Sequence, residues 1–191
     1  MRVIFDIEAN GLYYEVNRIH CISIHVEGSK TTEVYTSKHI KGSDGTLQQA
    51  LDILSAADVI IGHNIINYDI PSLEKLYPDW EYKDCLDTLI MSRLGFPNML
   101  MADANRKSLP PRLKGGHSLK AWGYRLRKLK GEFPQEQWEV LTPEMVEYCR
   151  QDAVVTTALL AKVEGVGLTE EAIWLEHEFA KIIDRQEKYG V

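Results

Sequence analysis

The stretch "FDIEAN", residues 5–10, constrains this chain more than any other. Val3, Ile4 and Phe5 begin a β-prone apolar run, and Asp6 and Glu8 then interrupt it. Side chains two apart in a strand point to one face, so the two carboxylates sit side by side near the end of a strand that the apolar run buries. Like charges held that close repel and raise one another's pKa. A fold can carry such a strand only if something else offsets the repulsion.

Two further places put acids where a fold would rather not have them. Asp69, in "GHNIINYDIPSL", lies just beyond a second short apolar run at a helix start; taken alone, it reads as plain helix capping. In "YCRQDAVVT", Tyr148 and Asp152 are four apart and therefore share a helix face. Tyr148 alone reads as core, but Asp152 opens an apolar helical stretch and faces burial. Together these acids suit a hard divalent cation such as Mg2+, which takes oxygen ligands. Two such ions about 4 Å apart can activate a water and stabilise the leaving oxygen of a phosphoryl displacement.

Charge distribution points the same way. The net charge is −6, but residues 106–130 hold nine of the 22 Lys and Arg and no acid, leaving 13 basic residues against 28 acids elsewhere. One face for a polyanion and acids gathered elsewhere would explain the split, although a solvated basic helix would also do so. With 45% hydrophobic and 26% charged residues the chain is globular, and its length suits one domain or one domain with an appendage. No apolar run nears the ~20 residues that span a bilayer. "MRVIFDIEANG" meets an acid after three apolar residues, which excludes a signal peptide, so a cytoplasmic location is expected. Cys21, Cys85 and Cys149 have no C-x-x-C spacing and are expected as reduced, buried thiols.

Alternation in "RVIFDI", "HCISIHV" and "TEVYT" predicts a three-strand antiparallel meander. Helices are expected over 46–56, from Asp69 with Pro71, through "CLDTLIMSRLG", and over 118–129 with Leu119, Trp122, Leu126 and Leu129 on one side. "DVIIGHN" reads as a buried strand. Residues 97–116 are too long for an ordinary connector, so they are functional or mobile. Thr142-Pro143-Glu144 and Thr169-Glu170-Glu171 launch two last helices, to about 163 and 189. Strands first, then a βα alternation, give an α/β domain with a mixed sheet.

Asp6-x-Glu8, Asp69 and Tyr148-x-x-x-Asp152 resemble the DEDD superfamily of 3′ to 5′ exonucleases, in the branch that carries tyrosine in its third motif. "FDIEANGL", "GHNIINYDIPSL", "CLDTLIMSRL", "HSLKAWGYRLRKLKGE" and "YCRQDAVVT" look like the proofreading domain of family A DNA polymerases from tailed phages. The resemblance spans nearly the whole chain. It implies an RNase H-like fold with a mixed five-stranded sheet flanked by helices, two Mg2+ or Mn2+ ions, and release of nucleoside monophosphates from a DNA 3′ end. Carried over to these positions, Asp6 bridges both metals, Glu8 and Asp152 complete one site, Asp69 holds the other through water, and Tyr148 orients the attacking water. Leu12 matches the apolar residue set against the terminal base, and Asn64 a polar contact to the strand; His63 is given no catalytic part.

Arg125 and Lys128, in the basic stretch, are expected to meet DNA phosphates. The tail "EEAIWLEHEFAKIIDRQEKYGV" resembles the segment that begins a polymerase module. The expected organisation is therefore an exonuclease domain over 1–168 and a C-terminal helix over 169–191 leading to a polymerase in cis, in a monomer acting on single-stranded or frayed DNA in a phage host's cytoplasm. An RNA-trimming exonuclease of the RNase D type shares all five site residues, and a decayed, binding-only domain is the other alternative.

Overall fold

The computed structural model describes residues 1–128 and 138–190. Its sheet has six strands among these residues: β1 (Arg2–Ala9), β2 (Ile19–Val26), β3 (Glu33–Thr36), β4 (Gly45–Thr46), β5 (Val59–Gly62) and β6 (Cys85–Asp87), in the order β4-β3-β2-β1-β5-β6. The first three form the expected antiparallel meander, and β5 and β6 run parallel to β1. The expected five strands become six. β4 is two residues long, and β6 takes the first three residues of the run read as a helix. Elements that short carry no periodicity; β6 exists because Cys85, Leu86 and Asp87 find partners on β5.

β1 is central, so both its faces are covered. Val3, Phe5, Ile7 and Ala9 join one core with Leu51 and Leu54 of α1 (Leu47–Ala56) and Ile70 and Leu73 of α2 (Asp69–Leu76). Each fully buried aliphatic or aromatic side chain there contributes about 1.5–3 kcal/mol of transfer free energy. The opposite face, with Ile4, Asp6 and Glu8, lies under α6 (Pro143–Glu164), whose Met145, Val146 and Cys149 cluster with Cys21 and Val34. All three cysteines are free and buried.

Five helix starts follow capping residues. Thr46 closes a capping box with Gln49 before α1, and Thr142 caps α6 ahead of Pro143. Thr169 caps α7 (Glu170–Tyr189). Asp87 caps α3 (Thr88–Gly95), and Ser118 caps α5 (Leu119–Leu126). The long connector after α3 holds α4 (Met99–Asp103) and a 3-10 turn at Pro111–Leu113. Leu119 and Trp122 of α5 are buried as the stripe predicts, while Leu129 lies outside the described residues. Among the described residues no helix is long and apolar enough to cross a membrane.

Candidate active site

The acids converge because of where β5 stops. β5 pairs with β1 only opposite Arg2, Val3 and Ile4, so further along β1 backbone groups need other partners. Gly62 ends β5 so close to β1 that a Cβ there would lie 2.9 Å from the Phe5 carbonyl oxygen and 2.2 Å from Ile65 Cγ2. The Ile7 N–H donates instead to Asp69 Oδ1 at 3.2 Å, across a loop from the strand. Ile7 lies between Asp6 and Glu8, so this bond ties the start of α2 to the strand that carries both acids. A bulge between Glu8 and Ala9 ends the regular pairing with β2 beside them.

Ligand-capable atoms of Asp6, Glu8 and Cys149 lie within 4.8 Å of one another. Glu8 is buried, Asp6 half-buried, and Cys149 Sγ is 4.0 Å from Asp6 Oδ2. Asp152, one turn beyond Tyr148 on α6, is buried as well. Tyr148 is half-buried, with its ring edge-on to Trp138 at 6.2 Å between centroids. The negative field is strong. Burial first, and then the charges of Asp87 and Asp152 against the pull of the Ile7 N–H, push the Asp69 carboxyl up to about 7. Burial, followed by the charges of Asp69, Glu8 and Asp6, raises the Tyr68 phenol. The Cys149 thiol is pushed up by burial first, then by Cys21, Asp6 and Glu8, and so stays protonated. What remains for a ligand is a set of carboxylate oxygens. That set fits a hard divalent cation and would be relieved of its repulsion by one.

Beside the acids opens a pocket of about 470 Å³ lined by Glu8, Leu12, Asn64, Tyr68 and Trp138 among others. Leu12 is 74% exposed, an apolar side chain at the rim of a polar site. Its loop is held by Tyr68, whose Oη donates to the Gly11 carbonyl at 2.6 Å. Asn64 has a left-handed backbone, φ 68°, and its N–H donates to Asp87 Oδ1 at 2.8 Å. Asp87 also accepts from the Ile66 N–H at 3.2 Å and the Leu89 N–H at 2.9 Å, so one buried carboxylate shapes the whole turn. His63 Nδ1 lies 2.9 Å from Thr88 Oγ1.

The structure thus gathers Asp6, Glu8, Asp69, Asp152 and Tyr148 around β1, with Leu12 and Asn64 on the adjoining pocket. The two basic residues part company. Lys128 is exposed just past α5. Arg125, expected on a phosphate-facing surface, has a side chain 3% exposed: its Nη2 donates to Asp103 Oδ2 at 2.6 Å and its Nε to Asp103 Oδ1 at 3.2 Å. A charged helix residue four behind Leu129 looks like surface, but Asp103 from a connector 22 residues away turns it inward. Sequence reasoning missed Asp87, Tyr68 and Trp138. Asp87 was findable, since an Asp just ahead of a helical run is an N-cap signal; the other two depend on long-range packing.

Comparison with known proteins locates this geometry. The family model described as the RNase H superfamily matches residues 3–164. The DNA-directed DNA polymerase of Escherichia phage T7 is 30% identical over 237 aligned residues, covering 98% of this chain and 33% of the polymerase. That of Enterobacteria phage T3 is 31% identical over 234, with the same coverage. The chain therefore spans about a third of the length of these curated relatives. Among solved structures, Brucella melitensis NrnC superposes with a TM-score of 0.68 at 19% identity, covering 99% of this chain and 85% of NrnC. NrnC with bound Mg2+ gives 0.65, again at 19% identity, covering 99% and 86%. At that identity the likeness is one of fold.

Proposed function

The chain belongs to the RNase H superfamily, and from that premise we propose that it is a metal-dependent 3′ to 5′ exonuclease that removes nucleotides from DNA, the proofreading part of a phage family A polymerase. The observation that carries this reading is the placement of Asp6 and Glu8 on one face of β1 with their carboxylates within 4.8 Å, and Asp69 bonded to the N–H between them.

Asp6, Glu8, Asp69 and Asp152 would hold two Mg2+ or Mn2+ ions, which when bound supply Lewis acidity at the scissile phosphate and lower the pKa of a coordinated water. The chain's own residues do the rest. Tyr148, braced by Trp138, orients the attacking water. Leu12 lies against the terminal base, and Asn64 contacts the strand. Lys128 meets phosphates beyond the terminal nucleotide. A frayed or single-stranded 3′ end is the substrate, because a paired end must first unstack at a cost of a few kcal/mol to bring its phosphate to the acids.

Residues 1–168 form the exonuclease domain, and 169–191 lead toward a polymerase module in cis, as the likeness to two phage polymerases supports. Trp174, Leu175, Phe179, Ile182 and Tyr189 of α7 are exposed apolar residues that such a module would cover. The workplace of that protein is the host cytoplasm.

The test is 5′-labelled single-stranded DNA and the equivalent RNA, incubated with Mg2+ and then with EDTA. Stepwise shortening of the DNA from its 3′ end, stopped by EDTA, is expected. Faster trimming of RNA would move the chain to the RNase D type, and binding without cleavage would make it a decayed domain.

A further inference from the structure

Helix α7 is a largely exposed element whose one buried residue is His177, a polar side chain in the position where a docked helix ordinarily places an apolar one. The imidazole is fully used. Its Nδ1 lies 2.8 Å from the Ile173 carbonyl oxygen, one turn earlier, and the Asp87 backbone N–H reaches Nε2 at 2.7 Å. A carbonyl can only accept and an N–H can only donate, so the proton sits on Nδ1 and Nε2 is the acceptor.

Asp87 is the residue whose carboxylate takes the N–H groups of Asn64, Ile66 and Leu89. Asn64 sits at φ 68°, the left-handed region that asparagine enters more readily than most non-glycine residues, and the bond from its N–H to Asp87 fixes it there. His177 therefore fixes the backbone of the residue that fixes this wall of the pocket. The far end of α7 touches the same region. Tyr14 Oη donates to the Glu187 carbonyl at 3.4 Å, and Lys188 Nζ donates to the Asn67 carbonyl at 3.4 Å. Lys188 Nζ also lies 4.4 Å from the centroid of the Tyr13 ring. Tyr13 and Tyr14 follow Leu12 directly, and Asn67 belongs to the Asn64 turn, where its Nδ2 donates to Asn64 Oδ1 at 3.0 Å.

We propose that His177 is a positioning residue for the substrate strand: acting through Asp87, it holds Asn64 in its binding conformation and makes α7 part of the nuclease's substrate site. This rests on the exonuclease reading above. A polymerase seated on the exposed face of α7 would then press on the same brace, and movement of that helix would weaken the grip on a 3′ end without touching the acids.

Two amide variants of the full chain separate the roles. In His177→Gln the side-chain oxygen falls near the place of Nε2 and can accept the Asp87 N–H. His177→Asn keeps a donor for the Ile173 carbonyl but falls short of Asp87. With 5′-labelled single-stranded DNA and Mg2+, His177→Asn is expected to raise KM roughly tenfold, the size of one lost hydrogen bond, with kcat nearly unchanged. His177→Gln is expected to stay close to the wild type. Amide hydrogen exchange at Asn64 and Ile66 should quicken in His177→Asn and not in His177→Gln. An unchanged KM in a folded His177→Asn protein overturns the proposal, as does equal damage by both variants or collapse of the fold in both, which would mark His177 as merely structural. A wild type inert on DNA sinks the exonuclease reading instead, and the exchange rates would still report whether His177 holds the Asn64 turn.

Discussion

Asp103 and Asp69 are both buried aspartates on helices, yet the protein treats their charges in opposite ways. Around Asp103, burial alone would raise the pKa, but the hydrogen bonds and charge of Arg125, the Gly115 N–H and Arg106 outweigh it and hold the carboxyl below its usual range. Asp69 has an N–H from Ile7 and other acids for company, and it sits at about 7. The Asp103 site is closed on itself, as a structural ion pair must be, because one buried charge left without its partner is strongly destabilising. At β1 burial and the charges of Asp87 and Asp152 raise the Asp69 carboxyl, and the carboxylates gathered there suit a divalent cation. Burial of an acid does not announce function; a carboxyl raised among other acids beside a cleft marks a candidate site.

The largest effect should come from emptying the acid site. Asp6→Ala with Glu8→Ala is expected to be inert on DNA while keeping a folded circular dichroism spectrum. Its melting temperature without metal should equal or exceed the wild type's, since two repelling charges are gone. Metal that binds the native state alone adds RT ln(1 + [L]/Kd), about 2.7 kcal/mol at a hundredfold excess over Kd, and the double variant should gain none of it. Thermal melts with Mg2+ and with EDTA decide this. A variant that melts far below the metal-free wild type would make these acids structural and erase the contrast with Asp103.

Breaking the closed site should do the reverse. Arg125→Ala removes the main partner of the buried Asp103 and leaves it only the Gly115 N–H and Arg106, at a cost of about 3–5 kcal/mol. For a chain of this size that is a fall of roughly 6–20 °C in Tm. The salt dependence of KM should not change, because the guanidinium never faced the substrate. A well-folded Arg125→Ala protein with a flatter salt dependence would return Arg125 to the DNA surface.

Asp69→Asn sharpens the comparison through pH. The folded carboxyl titrates near 7 and the unfolded one near 4, so Asp69's contribution to stability is complete below about pH 4 and is lost as the pH rises through 7. Asp103, with a lowered pKa, contributes above about pH 4 and loses that contribution as the pH falls through its folded value. An asparagine can still accept the Ile7 N–H without a charge. Metal-free Asp69→Asn should therefore melt roughly 2–8 °C above the wild type at pH 8 and gain almost nothing at pH 4, while losing activity. An equal gain at both pH values would show that charge is not the cause.

The smallest effect belongs to Lys128. Its replacement by Ala should raise KM modestly and reduce the salt slope by about one, the signature of a single phosphate contact. No change would put the binding surface elsewhere and leave Lys128 a solvated side chain.

Much of this molecule was legible in one dimension. The alternation in β1 placed Asp6 and Glu8 on one face. Thr142 and Thr169 marked helix starts because capping is a contact between residues three apart. The spacing of Tyr148 and Asp152 needed only the pitch of a helix. β4 and β6 were not legible, because strands of two and three residues have no pattern of their own and exist through their neighbours. Arg125 was misplaced for a related reason: its partner Asp103 lies 22 residues away, and charge in a helical stretch looks like surface until that partner is in place.

The sequence by itself determined that acids would gather at the end of a buried strand, and it pointed to a divalent cation as a group that would offset their repulsion. These follow from local periodicity and from the chemistry of carboxylates. Only the tertiary structure decided that Asp103 is neutralised by Arg125 while Asp69 is raised among other acids, and that His177 takes the N–H of Asp87, whose carboxylate holds the Asn64 turn. Hydrogen bonds and desolvation depend on where side chains meet in space, and contacts between residues 90 or more apart, such as His177 with Asp87, are set by packing rather than by sequence spacing.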